Sequence, residues 1–166
     1  MRRIGITGGI GSGKSVVSRL LRIMGYSVYD TDSEAKRLME SSLEVVQKLS
    51  ECFGRDIYHN GRLNRGLLSS RVFGESDKIV LLNSIVHPVV RFDFYRWSES
   101  LNEEICFVES AILYESRFDE LVDEVWTVTA PEELRIGRVR QRSGLTEEEI
   151  KKRMAAQSVS YTHLTL

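Results

Sequence analysis

Gly8-Gly9-Ile10-Gly11-Ser12-Gly13-Lys14-Ser15 satisfies the pattern G-x-x-x-x-G-K-[ST], and the rest of the chain is read outward from it. Glycines let the backbone turn its N–H groups inward around an anion, and a helix starting directly after them presents its positive end. Lys14 supplies a mobile charge for β- and γ-phosphates, and the Ser15 hydroxyl is a ligand for Mg²⁺. The pattern counts only between a strand and a helix. Both flanks meet that condition. Arg3-Ile4-Gly5-Ile6-Thr7 is a short apolar run bounded by glycines, which predicts a buried strand. Behind the loop, Val16, Val17, Leu20, Leu21 and Met24 recur at helical spacing, and Gly25 stands where a helix ends.

Further out, Tyr26-Ser27-Val28-Tyr29 reads as a second strand that closes at Asp30-Thr31-Asp32. From 33 to about 103 the pattern is mostly helical, with breaks expected near Gly54, Gly61, Gly74 and His87-Pro88. Ile105-Cys106-Phe107-Val108 and Val125-Trp126-Thr127-Val128 are two more apolar strands. Pro131 suits the first turn of a helix running to about Arg142. Thr146 with Glu149 three residues on is a capping-box signature for a last helix to about Gln157. Strands alternating with helices predict an α/β fold on a parallel sheet, with the long helical stretch as an insertion.

Composition narrows the class. At 166 residues the chain is the size of one domain. A net charge of −1 argues against a protein built to hold a nucleic-acid backbone. Two cysteines, Cys52 and Cys106, do not make a disulfide scaffold, and a reducing cytoplasm is the expectation. Five glycines between Gly5 and Gly13 break up the apolar start, so no signal-peptide core is expected, and no apolar run approaches the ~20 residues of a membrane span.

Other residues carry more than one reading. A carboxylate of Asp30-Thr31-Asp32 at the sheet's C-terminal edge is either a base for an acceptor hydroxyl or a helix cap. Glu109, ending the third strand, is either a magnesium-side acid or a solvated strand end. Arg135, Arg138 and Arg142 share one helix face, which is either a solvated surface or a lid that neutralises a transferring phosphoryl group. Phe92, Phe94, Tyr95 and Trp97 are expected in the core or a helix interface.

As an ordered set, these motifs resemble the dephospho-CoA kinase family. The opening Gly5-Ile6-Thr7 through Ser15, Asp30-Thr31-Asp32, Phe53-Gly54-Arg55-Asp56-Ile57 with Gly61-Arg62-Leu63-Asn64-Arg65, His87-Pro88 and Ile112-Leu113-Tyr114-Glu115 carry the likeness. Arg138, Arg142, Gly144-Leu145-Thr146, Arg153 and Gln157 extend it, so that it runs from residue 3 to about 157. The resemblance implies a P-loop kinase fold of the nucleoside-monophosphate-kinase type, with a helical acceptor-binding insertion at about 33–103 and a lid at about 131–150. It implies ATP-dependent phosphorylation of the ribose 3′-hydroxyl of dephospho-CoA, with ATP and Mg²⁺ as cofactors. The implied partner is that small molecule, with neither nucleic acid nor membrane. By the same likeness Asp32 is the favoured base, and Lys14, Arg138 and Arg142 act on the triphosphate. Gly8 to Ser15 with Val16 cradle the nucleotide, Ser15 and Glu109 face the metal, and His87 and Arg91 contact the acceptor. Glu109-Ser110-Ala111 departs from the family's usual Asp-x-Pro, and the stretch 158–166 is an atypical tail, read as a truncation or a join. The alternatives are another P-loop small-molecule or nucleoside kinase, or an inactive ATP-binding fragment. A GTPase-like switch would need an Asn-Lys-x-Asp motif, which the sequence lacks.

Overall fold

The computed structural model describes residues 1–156, so Gln157 and the tail 158–166 lie outside the described residues. The chain divides into two compact units, one made of Met1–Asp30 with Leu101 onward and the other of Thr31–Ser100.

The first unit is built on a parallel sheet. Its strands are β1 (Arg2–Thr7), β2 (Ser27–Asp30), β5 (Ile105–Glu109) and β6 (Glu124–Thr127), in the spatial order β2-β5-β1-β6. The central strand β5 buries Cys106, Phe107 and Val108 consecutively, as a parallel strand covered on both faces does. Ile4, Ile6 and Phe107 form an apolar cluster with Leu21 of helix α1 (Lys14–Ile23), and Val17 and Val28 pack against it. This cluster fixes α1 against the sheet and so fixes where the loop between β1 and α1 sits. Gly25, with φ +94°, closes the helix, and its N–H donates to the Arg22 carbonyl at 3.1 Å.

Beyond β6, α6 (Glu132–Ser143) ends at Gly144 with φ +67°. Helix α7 (Glu147–Ala156) opens with the expected capping box: Thr146 N–H donates to Glu149 Oε2 at 2.8 Å, and Glu149 N–H donates to Thr146 Oγ1 at 3.3 Å.

The second unit carries α2 (Thr31–Ser41), α3 (Leu43–Phe53), α4 (Arg65–Val72) and α5 (Ser76–Ser100). Helices α2, α3 and α5 pack on one another. Between α3 and α4 lies a short antiparallel hairpin of β3 (Tyr58–His59) and β4 (Arg62–Leu63), where the sequence pattern predicts mostly helix with breaks near Gly54 and Gly61 and no strand. Asn60 and Gly61 both adopt positive φ, +50° and +76°, which is the turn chemistry of a two-residue hairpin. Tyr58 anchors the hairpin by donating its hydroxyl to the Met39 carbonyl at 2.6 Å.

Two more expectations are corrected here. Helix α5 runs through His87-Pro88 without a break. Pro88 lacks an N–H and crowds the Ser84 carbonyl, a cost of about 3 kcal/mol. Ile85, Val86, Val90 and Phe94 are buried on both sides of it. Burying four such side chains contributes roughly 6–12 kcal/mol, which outweighs the proline. Of the aromatic group on this helix only Phe94 is fully buried, while Phe92 is 63% exposed and Tyr95 is also exposed.

Candidate nucleotide-phosphate site

The turn from β1 into α1 is made by glycines at backbone angles that side-chain-bearing residues adopt only at a cost. Gly8, Gly11 and Gly13 have φ of +149°, +77° and +107°. Space is as demanding as angle. A Cβ on Gly8 would collide with the Val128 carbonyl oxygen, and one on Gly11 would lie 2.6 Å from the Arg135 carbonyl oxygen. Within the loop, Ser12 N–H donates to the Gly9 carbonyl at 3.1 Å, which tightens the turn. Lys14 reaches back across it, its Nζ donating to the Gly8 carbonyl at 2.5 Å. The ammonium is thereby tied over the loop it serves.

The residues present suit a phosphate chain. Successive amides in a glycine-rich turn at a helix N-terminus make an anion-binding concavity. Ser12 Oγ is buried with no hydrogen-bond partner among the described residues, and a polar atom left so in the cradle calls for a ligand partner. Ser15 is exposed in the first turn of α1. Val16 turns its side chain outward, 62% exposed, while its N–H donates to the Gly13 carbonyl at 2.9 Å.

The side-chain oxygens that the sequence offers to a divalent cation here are those of Ser15 and Glu109. Glu109 ends β5, level with Ile6 of β1 and with Asp30 of β2. No group of three or more His, Cys, Asp or Glu side chains that could hold a metal occurs among the described residues. Magnesium fits such a sparse donor set, because it keeps most of its waters and takes ligands from phosphate oxygens.

The arginines of α6 do not act alike. Arg138 is exposed, and its Nη1 donates to the Gly11 and Ser12 carbonyls at 3.3 Å each. Arg142 is exposed in the last turn. Arg135 is only 8% exposed, and its Nε donates to the Ile10 carbonyl at 3.0 Å. Sequence reasoning grouped Arg135 with its face and gave the site to Arg138 and Arg142. The missed signal was in the loop itself, where side-chain-free Gly9 and Gly11 leave room for a guanidinium and for the backbone of α6.

The structure thus brings Gly8 to Ser15, Val16 and Arg138 together in the first unit, and sets Glu109 beside Asp30 at the sheet's C-terminal edge. Asp32 belongs to the second unit, exposed in the first turn of α2 and two residues past the end of β2. An acidic residue there also favours the helix by about 0.3–1 kcal/mol through its dipole. His87 and Arg91 lie one turn apart on α5 and so share a face, both half-buried. Burial, and then the Arg91 charge, lower the His87 pKa from its ordinary value, which favours the neutral imidazole. Both cysteines are free, Cys52 exposed and Cys106 buried. Among the described residues no helix is long and apolar enough to cross a membrane.

Comparison with known proteins adds family information. The model of the family described as "CoaE: Dephospho-CoA kinase" matches residues 2–165, reaching into the stretch that the sequence resemblance left out. The dephospho-CoA kinase of Porphyromonas gingivalis is 46% identical over 157 residues, covering 95% of this chain and 78% of that protein. The one from Corynebacterium diphtheriae is 40% identical over 161 residues, covering 95% and 80%. Among solved structures, TT1252 from Thermus thermophilus superposes with a TM-score of 0.79 at 38% identity, covering 94% of this chain and 80% of that one. The shikimate kinase of Acinetobacter baumannii, solved with shikimate, gives 0.52 at 16% identity over 95% and 74%, a likeness of fold alone.

Proposed function

The chain belongs to the dephospho-CoA kinase family, and we propose that Lys14, Ser15, Asp32, Arg138 and Arg142 carry the phosphoryl transfer that membership implies. The enzyme is an ATP-using phosphotransferase of coenzyme A biosynthesis whose acceptor is an alcohol group of dephospho-CoA. What carries the residue-level reading is the loop itself: three left-handed glycines, a buried Ser12 hydroxyl awaiting a partner, and a lysine drawn across the turn.

In this reading the loop amides and Lys14 bind the β- and γ-phosphates, and Arg138 and Arg142 offset negative charge as the phosphoryl group moves. Ser15 and Glu109 would hold Mg²⁺, which supplies charge neutralisation on the phosphate oxygens. Asp32 accepts the proton of the 3′-hydroxyl, with the longer-reaching groups His87 and Arg91 contacting the acceptor from α5. A neutral His87 donates a hydrogen bond from one ring nitrogen while Arg91 provides the charge. We propose by the same reading that the Thr31–Ser100 unit supplies the residues that bind the acceptor. Two free cysteines support a reducing, cytoplasmic setting.

Asp32→Asn tests the assignment. Loss of a general base lowers kcat by about 10²–10⁴. The Michaelis constant for ATP should stay nearly the same. A variant that loses ATP binding instead would show Asp32 to be structural.

A further inference from the structure

Helix α6 holds three consecutive peptide groups of the phosphate loop from one side. Arg135 Nε donates to the Ile10 carbonyl at 3.0 Å, and Arg138 Nη1 donates to the Gly11 and Ser12 carbonyls at 3.3 Å each. In a planar trans peptide the carbonyl oxygen lies opposite the N–H of the next residue. The described chain has no cis peptide bond. Fixing these oxygens toward α6 therefore turns the N–H groups of Gly11, Ser12 and Gly13 away from it. The Ser12 amide closes the turn onto Gly9. The Gly11 and Gly13 amides are left facing away from α6, as amides that cradle an anion in such a turn would.

Arg135 makes the shortest of these three bonds, and makes it from a buried position. A Cβ on Gly9 would collide with its guanidinium, with Cζ at 3.0 Å, and a Cβ on Gly11 would meet its main chain. A buried charge is costly unless it is hydrogen-bonded, so an apolar residue would serve better here if packing were the whole purpose. The guanidinium is suited in shape as well. Its planar fork donates sideways from Nε while the Nη atoms cover Gly9, which a lysine ammonium on a flexible stem cannot do.

We infer that Arg135 is a positioning residue for the nucleotide: its buried guanidinium sets the Ile10–Gly11 peptide in the phosphate-binding orientation before ATP arrives. The inference rests on the reading of Gly8 to Ser15 as the ATP phosphate site. It predicts that the arginine acts through the loop and leaves acceptor binding alone.

Three single variants of the whole chain and one double variant test it by calorimetric ATP titration, steady-state kinetics and thermal unfolding. Arg135→Ala should raise the ATP dissociation constant and Michaelis constant at least tenfold, with that for dephospho-CoA unchanged. Arg135→Lys keeps the charge and should not restore ATP binding, because it has no donor at the Nε position. Gly9→Ala keeps the arginine but displaces it, and should give the same selective loss; this variant carries the test if Arg135→Ala does not fold. In the Arg135→Ala background, Gly9→Ala should add little, since both break one contact. Unchanged ATP affinity in Arg135→Ala and Gly9→Ala, full rescue by lysine, or an equal rise for both substrates would overturn the inference while leaving the loop assignment intact. A wild-type chain that fails to bind ATP would overturn both.

Discussion

Gly11→Ala and Gly25→Ala form a matched pair that separates backbone conformation from close approach. Both glycines have positive φ, +77° and +94°. Alanine in either place pays the left-handed penalty of about 1–2 kcal/mol. Their surroundings differ. Nothing lies within 4 Å of a Cβ at Gly25, whereas at Gly11 the Arg135 carbonyl oxygen lies 2.6 Å away and Arg135 Cα and Val139 Cγ2 each 3.0 Å away. The first two are backbone of α6, so relief requires moving the helix off the loop. Forcing atoms into a packed site costs typically 1–3 kcal/mol more. Gly25→Ala should therefore cost about 1–2 kcal/mol and Gly11→Ala about 2–5 kcal/mol. For a chain of this size the extra cost corresponds to a melting-temperature gap of roughly 2–12 °C. Paired urea and thermal unfolding measure the gap, and ATP kinetics give a second readout. Only Gly11→Ala should raise the Michaelis constant for ATP, because it parts the loop from the helix that orients it. Equal destabilisation by the two substitutions, or an ATP site untouched by Gly11→Ala, would refute the packing of α6 against the loop.

Lys14→Ala removes the charge tied across the loop and should lower kcat/KM for ATP by about 10²–10³, the worth of one preorganised donor; unchanged kinetics would contradict the phosphate-loop assignment. His87 gives a pH signature. Its folded-state pKa lies below the ordinary value near 6.5, so the unfolded chain takes up the proton first as pH falls. The stabilising contribution is present above about pH 6.5 and is lost as pH falls through the folded value. Urea unfolding at several pH values should show wild type losing stability relative to His87→Gln across that window, and a pH-independent difference between them would rule the effect out.

The strands and the loop were readable because their chemistry leaves few options. An apolar run ending in glycines and a Gly-Lys-Ser triplet has one good context, and β1 and α1 provide it. The hairpin at Tyr58–Leu63 escaped because each strand is two residues long, too short for alternation to register, although Asn60-Gly61 is a strong turn signal. His87-Pro88 looked like a helix end because local preference opposes proline in a helix. Tertiary burial of Val86, Val90 and Phe94 decides otherwise, and no local rule carries that information. Arg135 was indistinguishable from Arg138 and Arg142 by periodicity. What separates it is a vacancy, the missing side chains of Gly9 and Gly11, more than a hundred positions earlier in the chain.

The central claim is that this chain transfers a phosphoryl group from ATP to dephospho-CoA at the loop Gly8 to Ser15. Phosphorus NMR of the purified chain incubated with ATP, Mg²⁺ and dephospho-CoA tests it most directly, because it shows both the donor and the position of the new monoester. The expected result is ADP and a 3′-phosphomonoester formed in equal amounts, with formation abolished by omitting dephospho-CoA and strongly reduced in Lys14→Ala. ADP formation that ignores dephospho-CoA, or no new monoester alongside demonstrated ATP binding, would contradict it.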